Sequence, residues 1–153
     1  MAASRFDYVI YIRTSAAKLW AGLLEPRFTR LYWCETWQDC DWRVGSEWKL
    51  MIPDGRVGDS GRVLEIEPEK RLVLAWENQF IPEMKAEGPT RLTYELEPVG
   101  ESMKLTLAHE IDLPNSKTIA AVATGWPHLL SSLKSLLETG ESLVETRTWP
   151  EGH

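Results

Sequence analysis

Asn115–Gly140 reads NSKTIAAVATGWPHLLSSLKSLLETG, and this stretch decides the fold. Ile119, Val122, Ala123, Trp126, Leu129, Leu130, Leu133, Leu136 and Leu137 recur every three or four residues. That spacing lays them along one broad stripe of an α-helix. Lys117, Ser131, Ser132, Lys134, Ser135 and Glu138 fall on the opposite face, where water is expected. Pro114 stops the preceding element, Asn115 or Ser116 can cap the first free N–H groups, and Gly140 suits a left-handed C-terminal cap. Pro127 has no N–H and its ring crowds the Ala123 carbonyl, which predicts a kink or a break. Gly125 is expected to let the helix approach its partner surface closely. Smaller side chains before Pro127 would border a cavity; the leucines after it would form a firm core. Each large residue on the stripe gains roughly 1.5–3 kcal/mol by leaving water, so the helix needs a concave apolar surface.

The residues upstream can supply one. Phe6–Arg13 alternates as a strand does. Thr14 or Ser15 then caps a short helix, AAKLWAGLL, and Pro26 opens a second, PRFTRLYW. ETWQDCDW reads as an irregular strand. SEWKLMI follows, with Trp48, Leu50 and Ile52 on one face, and Pro53-Asp54-Gly55 is a turn. GRVLEIEP and RLVLAWENQF come next, the latter with Leu72, Leu74 and Trp76 on one side. Ile81–Pro89 reads as a polar loop. RLTYELEP shows Leu92, Tyr94 and Leu96 together, and SMKLTLAHEI shows Leu105, Leu107 and His109. Strands joined by short turns predict an antiparallel meander. The expected class is α+β: a curved antiparallel sheet wrapped around the long C-terminal helix, with two short helices closing one end. Residues 1–140 form the expected single domain. Residues 141–153 form a tail without periodicity, its end mobile.

At 153 residues, one domain can bury a sizeable core. The excess of 23 acidic over 17 basic residues argues against nucleic acid or an anionic membrane surface as partner. The apolar runs are too short to span a bilayer, and MAASRFDYVI lacks a secretion signal, so a cytoplasmic protein is expected. Cys34 and Cys40 match no metal-ligand spacing; the three histidines are scattered, and no glycine-rich phosphate loop is present. Neither a metal nor a cofactor is expected. Eight tryptophans are more than a core of this size usually calls for.

The strand faces put Trp48, Trp76, Tyr94 and His109 on the same concave side as Trp126. Two readings stand: an aromatic pocket with two polar handles, or a packed core in which Tyr94 and His109 are hydrogen-bonded. His109 is the one plausible general acid or base on that face, but Glu110 and Glu95 point the other way and cannot orient it. A structural histidine is the plainer reading. Glu65 and Glu67 mark a solvent-facing strand surface. Trp37 and Trp42 either anchor a protein contact or form a flap over a cavity mouth.

Val44–Glu77, VGSEWKLMIPDGRVGDSGRVLEIEPEKRLVLAWE, resembles the core of START-like domains of the type that activates a heat-shock-protein ATPase (AHSA-type, SRPBCC superfamily). The similar features are a Val-Gly followed by an aromatic, a Pro-Asp-Gly turn, Gly-x-Val, an acid–Pro corner, then Arg-Leu-Val and a Trp. Leu19-Trp20 is similar to that family's first helix, and Leu105–His109 with Gly125-Trp126 to its last strand and closing helix. Ser46 stands where a second glycine is usual. The resemblance implies a helix-grip fold around a cavity, here lined by Trp48, Leu50, Leu74, Trp76, Tyr94, Leu107, His109, Trp126 and Leu130. It implies a monomer or homodimer holding a small apolar, lipid-like or polyketide-like ligand. One alternative is a chaperone ATPase activator acting by protein contact. Another is a polyketide cyclase- or dehydratase-like enzyme using His109 and Tyr94.

Overall fold

Strict alternation of half-buried and exposed residues, ending on buried Ile12, builds β1 (Ser4–Ile12), and Ser15 caps α1 (Ala16–Leu24) by accepting the Lys18 N–H at 3.2 Å. α2 (Pro26–Tyr32) starts on Pro26. The strands follow as β2 (Trp37–Cys40), β3 (Glu47–Met51), β4 (Val57–Glu67) and β5 (Arg71–Asn78). A single helical turn, α3 (Pro82–Lys85), precedes β6 (Thr90–Val99), β7 (Ser102–Ile111) and the long α4 (Lys117–Thr139). The computed structural model describes residues 3–150. Its seven strands form one antiparallel sheet in the order β1-β7-β6-β5-β4-β3-β2. β1 closes against β7 from Ser4↔Ile111 to Ile12↔Met103, and α1 and α2 carry the chain to the other edge. α4 lies over the concave face. Trp126, Leu130 and Leu133 join Trp48, Leu72, Leu74, Leu92, Leu105 and Leu107 in one core. This is the helix-grip arrangement.

Four expectations change. α4 runs unbroken through Pro127. The backbone bond lost at Ala123 is outweighed by the buried stripe on both sides of it, and Ser131 Oγ donates to the Pro127 carbonyl at 2.7 Å. Gly125 does not mediate close approach, since a Cβ there would meet no atom within 4 Å. Ser132 is fully buried rather than solvated. Its Oγ accepts the Leu143 N–H at 2.9 Å and the Thr146 hydroxyl at 2.7 Å, while Thr146 O accepts the Cys34 N–H at 2.7 Å. The segment after Gly140 is thereby fastened to the domain; residues 151–153, where a mobile end is expected, lie outside the described residues. Finally, the loop after β5 contains α3. Asn78 Oδ1 accepts the N–H groups of Phe80 (3.1 Å) and Ile81 (2.7 Å), which turns the chain, and Pro82 begins the helical turn over buried Met84. Glu65 and Glu67 do face solvent, Glu65 pairing with Arg71 and Arg91. Trp37 and Trp42 are half-buried; Arg30 lies over the Trp37 ring.

The start of α4 has a second cap that the sequence does not announce. Ser116 Oγ accepts the Ile119 N–H at 3.1 Å. Glu87 Oε2 accepts the Lys117 N–H at 2.7 Å, and its Oε1 accepts the Thr118 N–H at 3.1 Å and the Ser116 hydroxyl at 2.7 Å. Partial burial pushes this carboxyl up, but the hydrogen bonds at a helix N-terminus outweigh it and hold it at about 2. Because the folded value lies below the ordinary 4.5, the contribution to stability is present above that value. It is lost as pH falls toward 2. Glu87→Gln is expected to destabilise by about 1–2 kcal/mol at pH 7, with the gap to wild type closing on acidification. Urea unfolding at a series of pH values measures both.

Candidate functional site

Between α4 and the β3–β5 end of the sheet lies a cavity of about 240 Å³. α4 makes room for it by presenting Ala121, Val122 and Gly125 there, with Leu129 at the edge. Beyond Pro127 the larger Leu130, Leu133 and Leu136 close the gap. Val122 thus borders the cavity as its spacing suggests, whereas Ile119 and Ala123 do not. Trp33, from the end of α2, stacks on Trp76 at 5.9 Å and meets Trp126 edge-on at 5.5 Å; Trp76 meets Trp126 edge-on at 5.7 Å. Phe80, Ile81 and Met84 form the α3 side. Phe80 packs edge-on against Trp149 of the C-terminal segment at 5.7 Å. That pair also borders a neighbouring space of about 430 Å³, which reaches Cys34, His128 and Glu145. The buried Trp149 Nε1 has no hydrogen-bond partner.

Of the residues expected to line a cavity, the structure places Leu50, Trp76 and Trp126 on its wall. Trp48, Leu74, Tyr94, Leu107, His109 and Leu130 are buried behind that wall as packed core. Trp48 lies 4.6 Å from Trp76, and its indole donates to Gln38 Oε1 at 3.0 Å. Trp33, Asp59, Asn78, Phe80, Ile81, Met84, Thr118 and Trp149 are among the wall residues the sequence did not disclose.

His109 is fully buried and both its ring nitrogens are engaged. The Trp126 indole donates to Nδ1 at 3.1 Å, so the ring proton sits on Nε2 and is donated to Thr90 Oγ1 at 2.7 Å. Thr90 in turn donates to the Trp76 carbonyl at 2.7 Å. Burial brings the imidazole down to about 3, so it is neutral at physiological pH. Neither nitrogen is free to move a substrate proton. Burial, with Tyr32 nearby, also holds the Tyr94 phenol above its ordinary range.

Asp59 is the ionisable group on the cavity wall. It is 7 % exposed and pairs across the β4–β5 ladder with Asn78, whose amide donates to its Oδ1 at 3.2 Å. The Asn78 carbonyl oxygen is already spent on Phe80 and Ile81 N–H groups, so the amide N–H₂ must face Asp59. Burial pushes the carboxyl up to about 7, partly offset by Trp76 and Asn78.

A profile of the family described as Activator of Hsp90 ATPase homolog 1-like protein matches residues 13–138. The chain belongs to this family. Solved structures share the fold. The Aha1 dimer from Colwellia psychrerythraea superimposes with a TM-score of 0.70 at 21% identity, over 91% of this chain and 99% of that one. CalU16 from Micromonospora echinospora gives 0.72 at 19% identity, over 94% and 80%. MLL2253 from Mesorhizobium loti gives 0.71 at 23% identity, over 87% and 97%. No curated protein matches the sequence significantly. No described helix is long and apolar enough to cross a membrane, and no group of described residues could hold a metal ion.

Within this Activator of Hsp90 ATPase homolog 1-like domain, Asp59 makes stability depend on pH. Its folded value of about 7 exceeds the ordinary 3.8. Its contribution is therefore fully present below the ordinary value and is lost as pH rises through 7. Asp59→Asn keeps the shape and removes the titration. The variant is expected to match wild type near pH 4 and to exceed it by on the order of 2–4 kcal/mol at pH 8. Urea unfolding at the two pH values decides the matter.

Proposed function

We propose that this chain is a START-like binding domain that holds a small, mainly apolar molecule between α4 and the sheet, as a monomer or homodimer. The observation that carries the reading is the cavity of about 240 Å³, walled by Trp33, Trp76 and Trp126 and carrying few polar groups. Ligand sites usually combine such walls with a few placed polar atoms. Asp59 and the unpartnered Trp149 N–H supply them. Native mass spectrometry of freshly purified protein is expected to show a co-purified small molecule. A blocking variant provides the control. Gly125→Leu directs a side chain into open space, and replacing a mid-helix glycine should raise stability by up to about 1 kcal/mol. It should abolish both the co-purified species and the quenching of tryptophan fluorescence by added apolar probes. A wild-type protein that carries no ligand and shows no saturable quenching with any probe would count against the binding reading.

The family description favours a second reading, contact with a chaperone and stimulation of its ATPase. An ATPase assay with the cognate chaperone at saturating protein tests it: a flat response rejects it. The cyclase-like reading has no such support, because His109 is sealed on both nitrogens.

A further inference from the structure

We propose that the cavity is built for an amine: a small organic cation whose nitrogen sits beside the Asp59 carboxylate and against the indole faces of Trp33, Trp76 and Trp126. This rests on the binding reading above and names the class of its ligand.

The argument begins with what surrounds Asp59. A buried carboxylate is tolerated when it is hydrogen-bonded and its charge is compensated. The hydrogen-bonding half of that requirement is met by the Asn78 amide, which donates at 3.2 Å. Asn78 cannot turn its acceptor toward Asp59, because that oxygen holds the turn into α3. The carboxylate that forms as pH rises through about 7 thus has a donor in place, while burial works against its charge. Charge compensation is missing: Asp59 forms no ion pair with a described residue. The buried base His109 lies behind the wall with both nitrogens engaged. A cation entering the cavity would supply that charge.

The aromatic wall favours a cation over a neutral donor. Indole faces attract ammonium groups through the ring quadrupole, most strongly when water is excluded. Here three indoles meet within 5.5–5.9 Å of one another beside the same carboxylate. An alcohol would gain the hydrogen bond to Asp59 but neither the charge pairing nor the attraction to the rings.

The test compares phenethylamine with its neutral isostere 2-phenylethanol by isothermal titration calorimetry at pH 8, where a primary amine is protonated. The amine is expected to bind wild type at least about tenfold tighter than the alcohol. Asp59→Asn should bring the amine down to the alcohol's affinity, with the fold of the variant checked by circular dichroism. If both probes bind wild type equally, or the alcohol binds tighter, the amine proposal is overturned while the apolar cavity stands. If neither binds to folded wild type but Gly125→Leu still removes a co-purified molecule, the binding reading stands and the amine class is wrong. If neither binds and nothing co-purifies, both fall. The comparison on wild type decides the matter even where the variant fails to fold.

Discussion

Trp126→Ala is expected to destabilise the domain by about 3–5 kcal/mol, the range for removing a large buried aromatic. The ring is 3 % exposed and touches Trp33, Trp76 and Tyr94, at 5.5, 5.7 and 6.0 Å. One face borders the cavity, which lowers the loss, but a second term raises it. Without the indole N–H, His109 Nδ1 becomes a buried acceptor with no donor. Trp126→Phe separates the two contributions: it keeps most of the packing, drops the donor, and should cost about 1–3 kcal/mol. Urea unfolding of both variants measures the partition. A Trp126→Ala protein within about 0.5 kcal/mol of wild type, the range of ordinary surface changes, would falsify the placement of this ring between α4 and the sheet.

Gly61→Ala should be at least as damaging, through backbone rather than side chain. Gly61 lies opposite Trp76 in the β4–β5 ladder. A Cβ there would overlap the Ala75 carbonyl oxygen and lie 2.6 Å from its carbon. Main chain in the middle of a sheet cannot swing aside as a rotamer can, so the ladder must open or shift. A loss of about 3–5 kcal/mol, or failure to fold, is expected, at the severe end for single substitutions. Gly58→Ala is the comparison. Its Cβ would approach the Ile52 side chain at 3.1 Å. A small adjustment there relieves the contact, and the cost should stay below about 1.5 kcal/mol. Equal stability of Gly61→Ala and Gly58→Ala would show that the two strands do not pack as described.

The fold was legible because its signals are local. The three-and-four spacing of α4, its Ser116 and Gly140 caps, and the alternation in β1 and β7 each lie within one element. The cavity was legible only as a direction. Alternation says that Trp48, Leu74, Trp76 and Tyr94 face the helix, but not how far along α4 each lies. That position decides whether a ring borders space or fills it, and only Trp76 of the four reaches the cavity. Asp59 escaped because Gly58-Asp59-Ser60 has the composition of a turn. Its strand conformation comes from pairing with Leu50 on one side and Asn78 on the other. Ser132 and Trp149 were hidden for a related reason. Their partners, Thr146 and Phe80, lie 14 residues away in one case and on a different element in the other, beyond any periodicity.

The chain of bonds from the Trp126 indole through His109 and Thr90 to the Trp76 carbonyl has a mechanical consequence. It links the helix to three strands, β7, β6 and β5, behind the cavity, so that displacing Trp126 or the β5 backbone breaks a buried bond. Across the cavity, Phe80 and Trp149 touch only ring to ring, and the Trp149 N–H is unbonded. One wall is therefore stiff and the other compliant. A guest must match the contour of the stiff wall, while the compliant one can yield to its bulk toward the neighbouring space. Selectivity for shape and tolerance of size would then reside on opposite sides of one small chamber.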